Sequence, residues 1–496
     1  MTEQTLNAAP LDVIIVGAGI SGIGMAAHLA QSCPQRTFTI IERRQRSGGT
    51  WDLFRYPGVR SDSDMYTLGF RFEPWRDDKS IAGGETILAY LDRVVETRGL
   101  APHMRFGLKV TAADWDSASA LWTVTMVDDS GAQSTLQGRF LFLGAGYYDH
   151  DNPHDAAIPG LETLGATVIH PQFWPQDFDH AGKRVIVIGS GATAVTVVPA
   201  MAETAAHVTM LQRTPTWYGQ APSQDRAALF LRKVLPERWA YALTRWKNIR
   251  FHQFLFRRAR ERPEGVGRFL LGKVREAVGE ERFRAEDFTP PYGPWEQRMC
   301  LVPDGDLFTA IREERASVVT GRIARVDATG VLLEDGRHLE ADVIVTATGL
   351  RLAVAGKIAV SLDGEPVNFA DRFYYRSAMF SNVPNLAALF GYLNAGWTLR
   401  VDIVADWLCR LFNHMDAKGL DVATPHLPAD HGLEEEQVFD FFSSGYLQRA
   451  KHIVPKSSTT PPWRFAMDYL TERRELAAAP IEDGVMRFSR AHGPVA

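Results

Sequence analysis

Two glycine-rich segments have the residue types and spacing that bind dinucleotide phosphates. They are Gly17-Ala18-Gly19-Ile20-Ser21-Gly22 and Gly189-Ser190-Gly191-Ala192-Thr193-Ala194. Each follows a short β-branched run, residues 13–16 or 185–188, and precedes a stretch of small residues typical of a helix. In this setting glycines allow a tight turn and bring backbone N–H groups close to a pyrophosphate at the helix N-terminus. The sequence therefore predicts two βαβ units that each bind one dinucleotide.

The residue that ends the second strand of each unit predicts which dinucleotide binds. Glu42 ends the strand of residues 37–41, where a carboxylate accepts hydrogen bonds from ribose hydroxyls and repels a 2′-phosphate. The matching strand, residues 208–211, is followed by Gln212, Arg213 and Thr214, and a guanidinium can donate two hydrogen bonds to a 2′-phosphate. We expect FAD or NAD in the first unit and NADPH in the second.

The order of elements predicts an α/β protein with two Rossmann-like dinucleotide-binding domains. Residues 1–148 hold the first βαβ unit and a meander of strands, and residues 149–220 with 286–349 hold the second unit and its own meander. Residues 350–496 are predicted to return to the first domain and to end in a C-terminal tail. The first domain would then bind FAD or NAD, the second NADPH, and both would be discontinuous.

Residues 221–285 fit neither unit and are predicted to be a helical insertion in the NADPH-binding domain. Within residues 221–284 there are 16 Lys and Arg against 7 Asp and Glu, interleaved with aromatic residues such as Trp239 and Trp246. Two interpretations remain open. The segment is expected to form a helical hairpin. We favour a helical subdomain with a solvated charged face; the alternative is a basic amphipathic surface that makes weak contact with a membrane or gates an apolar substrate.

Composition limits the other functions. The chain has 496 residues, 45% of them hydrophobic, and a formal net charge of −5, so no overall positive field points to nucleic acid as a partner. Cys33, Cys300 and Cys409 form no CxxC pair and no Cys/His cluster, so we expect a reducing compartment, no metal site and no dithiol chemistry. The N-terminus lacks the features of a signal peptide. We expect a cytoplasmic protein, with peripheral membrane association as the alternative.

A third motif lies between the glycine loops, in residues 164–175. It resembles FxGxxxHxxxW followed by Pro or Asp, the fingerprint of the Baeyer-Villiger monooxygenases within the class B flavoprotein monooxygenases. His170, Trp174 and Pro175 agree with the fingerprint, whereas Leu164 replaces Phe and Ala166 replaces Gly. The related flavin-containing N- and S-oxygenases end the motif in an aromatic residue without Trp-Pro. The motif therefore favours the Baeyer-Villiger group.

Other segments extend this resemblance from about Leu11 to Tyr469. Their sequences are most similar to the ethionamide-monooxygenase-like branch, whose members oxidise ketones, sulfides and thioamides. These segments are Gly48-Gly49-Thr50-Trp51, Arg55-Tyr56-Pro57-Gly58-Val59-Arg60-Ser61-Asp62, Phe288-Thr289-Pro290, Trp295-Glu296-Gln297-Arg298-Met299-Cys300, Asn394-Ala395-Gly396-Trp397-Thr398 and Pro462-Trp463-Arg464.

The resemblance implies a reaction and two catalytic residues. NADPH would reduce FAD, O₂ would react at flavin C4a, and the resulting peroxyflavin would convert a ketone into an ester or lactone, with sulfides as further substrates. Arg298 is implied as the permanently charged donor beside the developing negative charge, and Asp62 as the carboxylate that orients it. The family often has Lys before this arginine; because Gln297 stands here, Arg213 and Thr214 are expected to bind more of the NADPH phosphate.

The predicted cofactor-binding residues lie in the two loops, at the strand ends and in the family segments. They are Gly17, Gly19, Ser21, Gly22, Glu42, Gly49, Thr50, Trp51, Asp62, Val110, Gly189, Ser190, Gly191, Ala192, Thr193, Arg213 and Thr214. His170 is predicted to tie the linker by hydrogen bonds rather than to act as a base, and Trp174 to pack the linker.

Three other functions are possible for a chain with two dinucleotide-binding units. A flavin-containing N- or S-oxygenase would never make esters, so conversion of a ketone discriminates against it. A non-catalytic flavin and NADPH-binding redox scaffold is disfavoured by Arg298 and Asp62 in matching motifs. A disulfide reductase of similar domain plan is disfavoured because no CxxC pair is present to receive electrons from flavin.

Overall fold

A computed structural model describes the backbone of residues 4–5 and all of residues 9–297, 299–439 and 442–491. The helices are α1 (Ile20–Ser32), α2 (Thr50–Leu53), α3 (Met65–Leu68), α4 (Gly84–Thr97), α5 (Ala192–Met201), α6 (Arg226–Val234), α7 (Glu237–Glu261), α8 (Pro263–Val278), α9 (Ala285–Phe288), α10 (Asp306–Arg312), α11 (Thr398–Lys418), α12 (Gly445–Arg449) and α13 (Tyr469–Ala478). The strands are β1 (Gln4–Thr5), β2 (Leu11–Val16), β3 (Phe38–Ile41), β4 (Met104–Arg105), β5 (Leu108–Asp116), β6 (Leu121–Asp128), β7 (Gln133–Leu143), β8 (Thr167–Ile169), β9 (Arg184–Ile188), β10 (His207–Gln212), β11 (Tyr218–Ala221), β12 (Cys300–Pro303), β13 (Ala316–Thr320), β14 (Ile323–Asp327), β15 (Gly330–Leu333), β16 (His338–Glu340), β17 (Val343–Thr346), β18 (Ala359–Leu362), β19 (Glu365–Pro366), β20 (Tyr374–Tyr375), β21 (Met379–Phe380), β22 (Leu386–Ala388), β23 (Val422–Pro425), β24 (Glu436–Gln437), β25 (Lys456–Ser457) and β26 (Met486–Ser489).

The first sheet combines a parallel centre with an antiparallel flank. Its main strand order is β19-β18-β5-β6-β7-β2-β3-β4. β2 pairs in parallel with β7 and β3, whereas β5, β6 and β7 form an antiparallel meander. The central strands are apolar and buried on both faces, as expected where helices cover a parallel sheet. This arrangement sets the carboxyl ends of β2 and β7 side by side.

The second sheet repeats the plan. Its order is β13-β10-β9-β17-β8 and all its pairs are parallel. A separate antiparallel meander, β14-β15-β16, precedes β17 in the chain. The predicted fold of two Rossmann-like domains is thus confirmed.

Residues after 350 return to the first sheet. β18 pairs with β5 and β22 pairs with β7, both in parallel. α11 packs along α1, and the two helices share one apolar core. The segment that follows β22 consequently ends near the first glycine loop.

The helical insertion has three helices rather than the hairpin that the sequence predicted. Pro236 caps the N-terminus of α7, and Pro263 begins α8; proline cannot supply the N–H that continues a helix, so the chain breaks at both places. α7 is anchored on the first domain by Arg245, which donates hydrogen bonds to the carbonyl oxygens of Tyr66 (2.8 Å) and Gly69 (2.6 Å) and pairs with Asp402 at 3.0 Å.

Two of the cysteines, far apart in sequence, are neighbours in the fold. Cys33 Sγ lies 3.6 Å from the carbonyl oxygen of Cys409, and both residues are buried. Within the described ranges, no group of three or more His, Cys, Asp or Glu side chains could hold a metal ion. The same ranges contain no helix with the length and apolar character needed to cross a membrane.

Candidate functional site

A large cleft lies where the two domains meet. Its empty volume is about 2000 Å³, including space open to solvent. Gly17 and Gly19 of the first glycine loop line it, and so do Ala192 and Thr193 of the second. Ligands of such sheets bind outside the carboxyl ends of the strands. The two predicted dinucleotide sites therefore open into one cleft.

The first glycine of each loop permits a turn that other residues would block. Gly17 has φ +99°, and a Cβ atom there would lie 2.8 Å from the carbonyl oxygen of Gly144; at Gly189, with φ +138°, it would lie 2.3 Å from that of Ala347. The turns lead into α1 and α5, whose N-terminal N–H groups suit a pyrophosphate. Beside Gly191 the space within 4 Å of a Cβ position is empty. Both loops thus fit a dinucleotide.

Glu42 lies at the end of β3, as predicted, and lines the cleft. Its carboxylate accepts hydrogen bonds from the backbone N–H groups of Ala18 (2.8 Å) and Arg44 (2.9 Å). Burial raises the pKa of Glu42. A carboxylate has about four acceptor positions, so Glu42 can still accept from a ribose hydroxyl while it fixes the loop.

The remaining predicted residues of the first site divide into two groups. Gly49, Thr50, Trp51, Asp62 and Val110 line the cleft. Gly22 packs instead against the turn, because a Cβ there would lie 1.9 Å from the carbonyl oxygen of Gly17.

Ser21 lines the cleft but its hydroxyl already has a protein partner. It accepts a hydrogen bond of 2.8 Å from the indole Nε1 of Trp397. Trp397 stacks in turn on Tyr147, with 5.2 Å between ring centroids and 14° between planes. Both aromatic residues line the cleft, so the returning C-terminal segment supplies part of its wall.

The segment before Asp62 joins the two domains. Tyr56 lines the cleft together with Thr193 of the second glycine loop, and burial raises the pKa of Tyr56 to about 12. Arg60 forms an ion pair with Asp306 of the second domain. These contacts hold Asp62, which is exposed within the cleft, between the two dinucleotide sites.

Arg298, the predicted catalytic arginine, lies outside the described residues. The chain that follows it runs beside the second glycine loop: the Cys300 Sγ atom lies 3.7 Å from the carbonyl oxygen of Ser190, and Leu301 lines the cleft. The assignment of Arg298 therefore remains a prediction from the sequence.

Arg213 and Thr214 lie beyond β10, at the outer end of the second site. Ser190 donates a hydrogen bond of 2.8 Å to the carbonyl oxygen of Thr214, which ties this segment to the glycine loop. Arg213 is exposed. Neither Arg213 nor Thr214 lines the central cleft, as is suitable for residues that bind the distal phosphate of an extended cofactor.

Sequence reasoning missed a second cation at this end. Arg449 of α12 places its Nη2 atom 3.7 Å from the position that a Cβ would take at Gly349, at the carboxyl edge of the second sheet. Partial desolvation and the positive charge of Arg213 lower the pKa of Arg449, although its side chain stays exposed. No described carboxylate forms an ion pair with either guanidinium. Only the fold brings α12 to Arg213, so no local motif could have revealed the pair.

The sequence also gave no sign of a charged cluster at the first site. Asp149 pairs with Lys357 at 2.8 Å, and Asp151 pairs with Arg43 at 2.5 Å. Between them, burial and neighbouring arginines lower the pKa of His150 to about 4, so this imidazole is neutral at pH 7. All five residues line the cleft.

The two linker residues have the contacts of structural groups. The Nδ1 atom of His170 accepts a hydrogen bond from the backbone N–H of Gln172 at 3.2 Å, and burial lowers the pKa of His170. Trp174 packs edge-on against Phe178, with ring centroids 6.2 Å apart. Neither residue lines the cleft.

Known proteins similar to this chain are flavin monooxygenases. The family described as pyridine nucleotide-disulphide oxidoreductase matches residues 14–230. The probable FAD-binding monooxygenase AlmA of Acinetobacter sp. is 45% identical over 481 residues, which cover 97% of this chain and 96% of AlmA. The FAD-containing monooxygenase EthA of Mycobacterium tuberculosis is 44% identical over 486 residues, with 98% and 99% covered. The chain belongs to the FAD-containing monooxygenases, as its motifs predicted.

Solved structures share the fold at lower identity. Steroid monooxygenase bound to NADP superposes with a TM-score of 0.77 at 22% identity, covering 97% of this chain and all of that one. Cyclohexanone monooxygenase bound to cyclohexanone gives a TM-score of 0.73 at 22% identity, covering 98% of this chain and all of that one. OTEMO in complex with FAD and NADP gives 0.71 at 20%, covering 97% and 100%. The predicted cofactors, FAD and NADPH, agree with these relatives and neighbours.

Proposed function

We propose that the chain is a Baeyer-Villiger monooxygenase that uses FAD, NADPH and O₂ to convert ketones into esters or lactones and that also oxidises sulfides. The observation that supports this most directly is the single cleft lined by both glycine loops, with Asp62 between them. Reduction of one dinucleotide by the other requires their reactive rings to meet in such a space. The fingerprint at His170 and Trp174 favours ester formation over other flavin oxygenations.

Each site has residues suited to its cofactor. The first loop and Glu42 would hold the pyrophosphate and ribose of FAD, while the second loop would hold the pyrophosphate of NADPH. Arg213, Thr214 and Arg449 would bind the 2′-phosphate that distinguishes NADPH from NADH. FAD, when bound, accepts a hydride from NADPH and activates O₂.

The catalytic proposal concerns the charge that develops on oxygen during ester formation. Arg298 would stabilise this negative charge, because a guanidinium stays protonated in an apolar site. Asp62 would hold Arg298 in one orientation and would not itself transfer a proton.

Product analysis tests the proposal directly. FAD-loaded enzyme is given NADPH, labelled O₂, an aliphatic ketone and an aryl methyl sulfide, and products are identified by mass spectrometry. We expect labelled ester together with sulfoxide. Sulfoxide without ester would favour an N- or S-oxygenase, and no NADPH-dependent O₂ uptake would favour a non-catalytic flavin protein.

Three variants separate the roles of the catalytic pair. Arg298→Ala should keep the rate of flavin reduction but lose ester, with NADPH consumed to peroxide. Arg298→Lys is the matched control: it keeps the charge but not the fork of donors, and should retain part of the ester. Asp62→Ala should form an amount of ester between those formed by Arg298→Ala and Arg298→Lys. Full ester formation by Arg298→Ala would contradict the assignment.

A further inference from the structure

One face of α7 presents a row of large apolar side chains to solvent. Trp239, Trp246 and Phe254 are 67%, 58% and 57% exposed. With Leu243 and Arg250 they recur every three or four residues, so they lie on one side of the helix. The row extends along a helix of 25 residues, about 37 Å long.

The orientation of this row is fixed by the opposite face. Tyr241, Thr244, Arg245 and Asn248 are buried against the first domain. The flanking helices add Phe230, Val234 and Phe269 to the exposed set, so that eight of the eleven exposed large hydrophobic residues in the described chain lie on α6 to α8. So concentrated an apolar surface on a folded protein marks a contact site.

The segment that carries this row is strongly basic. Residues 226–278 hold 14 Lys and Arg against 4 Asp and Glu, in a chain whose totals are 54 and 59. Among the described residues, Lys233, Arg238 and Arg250 have no acidic partner. Arg250 lies over the ring of Trp246 at 5.4 Å, and Arg258 over that of Phe254 at 5.8 Å. Cations and aromatic rings therefore alternate on one face.

We propose that the exposed face of α7, defined by Trp239, Trp246 and Phe254 with the cations between them and flanked by the exposed side chains Phe230, Val234 and Phe269 of α6 and α8, docks on the surface of an anionic membrane. Exposed tryptophans and arginines on one helix face suit the boundary between lipid headgroups and acyl chains, and each cation gains from anionic lipid. A two-fold contact between two copies would instead bring one strongly basic face against another, which like charges oppose.

The docked orientation has a consequence for substrate, which rests on the proposed function. A second cavity, with an empty volume of about 800 Å³ including open space, lies beside α7 and is lined by Phe256, Arg257 and Arg260. Ala395 lines both this cavity and the main cleft. A substrate dissolved in the bilayer would thus meet this cavity next to the site of oxidation.

Vesicle partitioning of the FAD-loaded enzyme tests the docking. Co-sedimentation is measured with phosphatidylcholine vesicles, with and without phosphatidylglycerol, at low and raised salt. We expect binding that requires the anionic lipid and weakens with salt. Replacing Lys233, Arg238 and Arg250 by Gln should weaken partitioning about fivefold per cation, or roughly a hundredfold in all.

Two further variants complete the design. Replacing Trp239, Trp246 and Phe254 by Ser should lower partitioning at least about tenfold, while FAD content and turnover of a water-soluble ketone stay unchanged. The charge-matched control replaces Arg322, Arg325 and Arg473, which are exposed elsewhere, and should bind vesicles as the wild type does.

Several results would overturn the docking. The first is that the wild type does not bind the anionic vesicles. The second is that the control variant at Arg322, Arg325 and Arg473 loses as much vesicle binding as the variant at Lys233, Arg238 and Arg250. The third is that the wild type binds no vesicles but self-associates in sedimentation velocity, and that replacing Trp239, Trp246 and Phe254 by Ser abolishes this self-association. Because partitioning is measured without turnover, failure of the docking and failure of the monooxygenase proposal are distinguishable.

Discussion

The pair Arg213 and Arg449 leads to a quantitative prediction about the choice of nicotinamide cofactor. Replacing either residue by Gln removes one guanidinium from the distal end of the second site. A hydrogen bond to a charged group contributes about 1.5–3 kcal/mol. Since both side chains are exposed, we take the lower end, which corresponds to roughly tenfold in affinity for NADPH.

NADH lacks the 2′-phosphate, so its affinity should hardly change. The double variant should approach a hundredfold loss if the contacts are independent, and the double-mutant cycle measures any coupling. Coupling is expected because the charge of Arg213 lowers the pKa of Arg449 in the absence of ligand; removing one cation relieves this repulsion and reduces the apparent loss.

The assay is anaerobic flavin reduction at a range of NADPH and NADH concentrations, from which the dissociation constant and the limiting rate are separated. Arg322→Gln, on the meander of the same domain, is the control for a change of net charge. Equal weakening of NADPH and NADH would refute the assignment of Arg213, and wild-type affinity for NADPH in Arg449→Gln would remove Arg449 from the site.

Two other predictions follow from buried contacts. Gly17→Ala should lose FAD on gel filtration, because its Cβ would clash with a backbone carbonyl at 2.8 Å, whereas Gly131→Ala, also at positive φ but in open space, should retain it; retention by both would disprove the steric argument. For His28, burial alone would lower the pKa, but hydrogen bonds with Asp402 and Asp406 outweigh it and raise the pKa above 6.5. The stabilising contribution of charged His28 is therefore complete below about pH 6.5 and is lost as the pH rises through the raised pKa. The Tm of His28→Gln should therefore fall less than that of the wild type over this pH range. Parallel profiles of Tm against pH for the two proteins would contradict the prediction.

Much of the scaffold could be predicted because its signals are local. The strands before both glycine loops are short β-branched runs, and the turns need glycine for steric reasons that leave a clear pattern. The runs at residues 13–16 and 185–188, which precede the two glycine loops, lie within β2 (Leu11–Val16) and β9 (Arg184–Ile188). The identities of Glu42 and Arg213 at matched strand ends predicted different cofactors without any knowledge of the fold.

The rest depends on contacts between distant segments. Nothing local to Arg449 indicates that it will approach Arg213, and nothing near Ser21 indicates that Trp397 will occupy its hydroxyl. The cysteines show the same limit, since Cys33 and Cys409 are far apart in sequence and only the packing of α1 on α11 makes them neighbours. Such contacts depend on tertiary packing, which the hydrophobic periodicity of single segments does not predict.

Arg245 attaches α7 to a different domain from the one that surrounds it in the sequence. In sequence, α7 lies between two parts of the second domain, yet its buried hydrogen bonds go to the first domain. If the second domain rotates to exchange its nicotinamide cofactor, α7 stays in place on the first domain. The connections at either end of the insertion then accommodate the movement of the second domain. The cavity beside α7 would then keep its shape through the cycle, so the route for substrate and the movement of cofactor would be uncoupled.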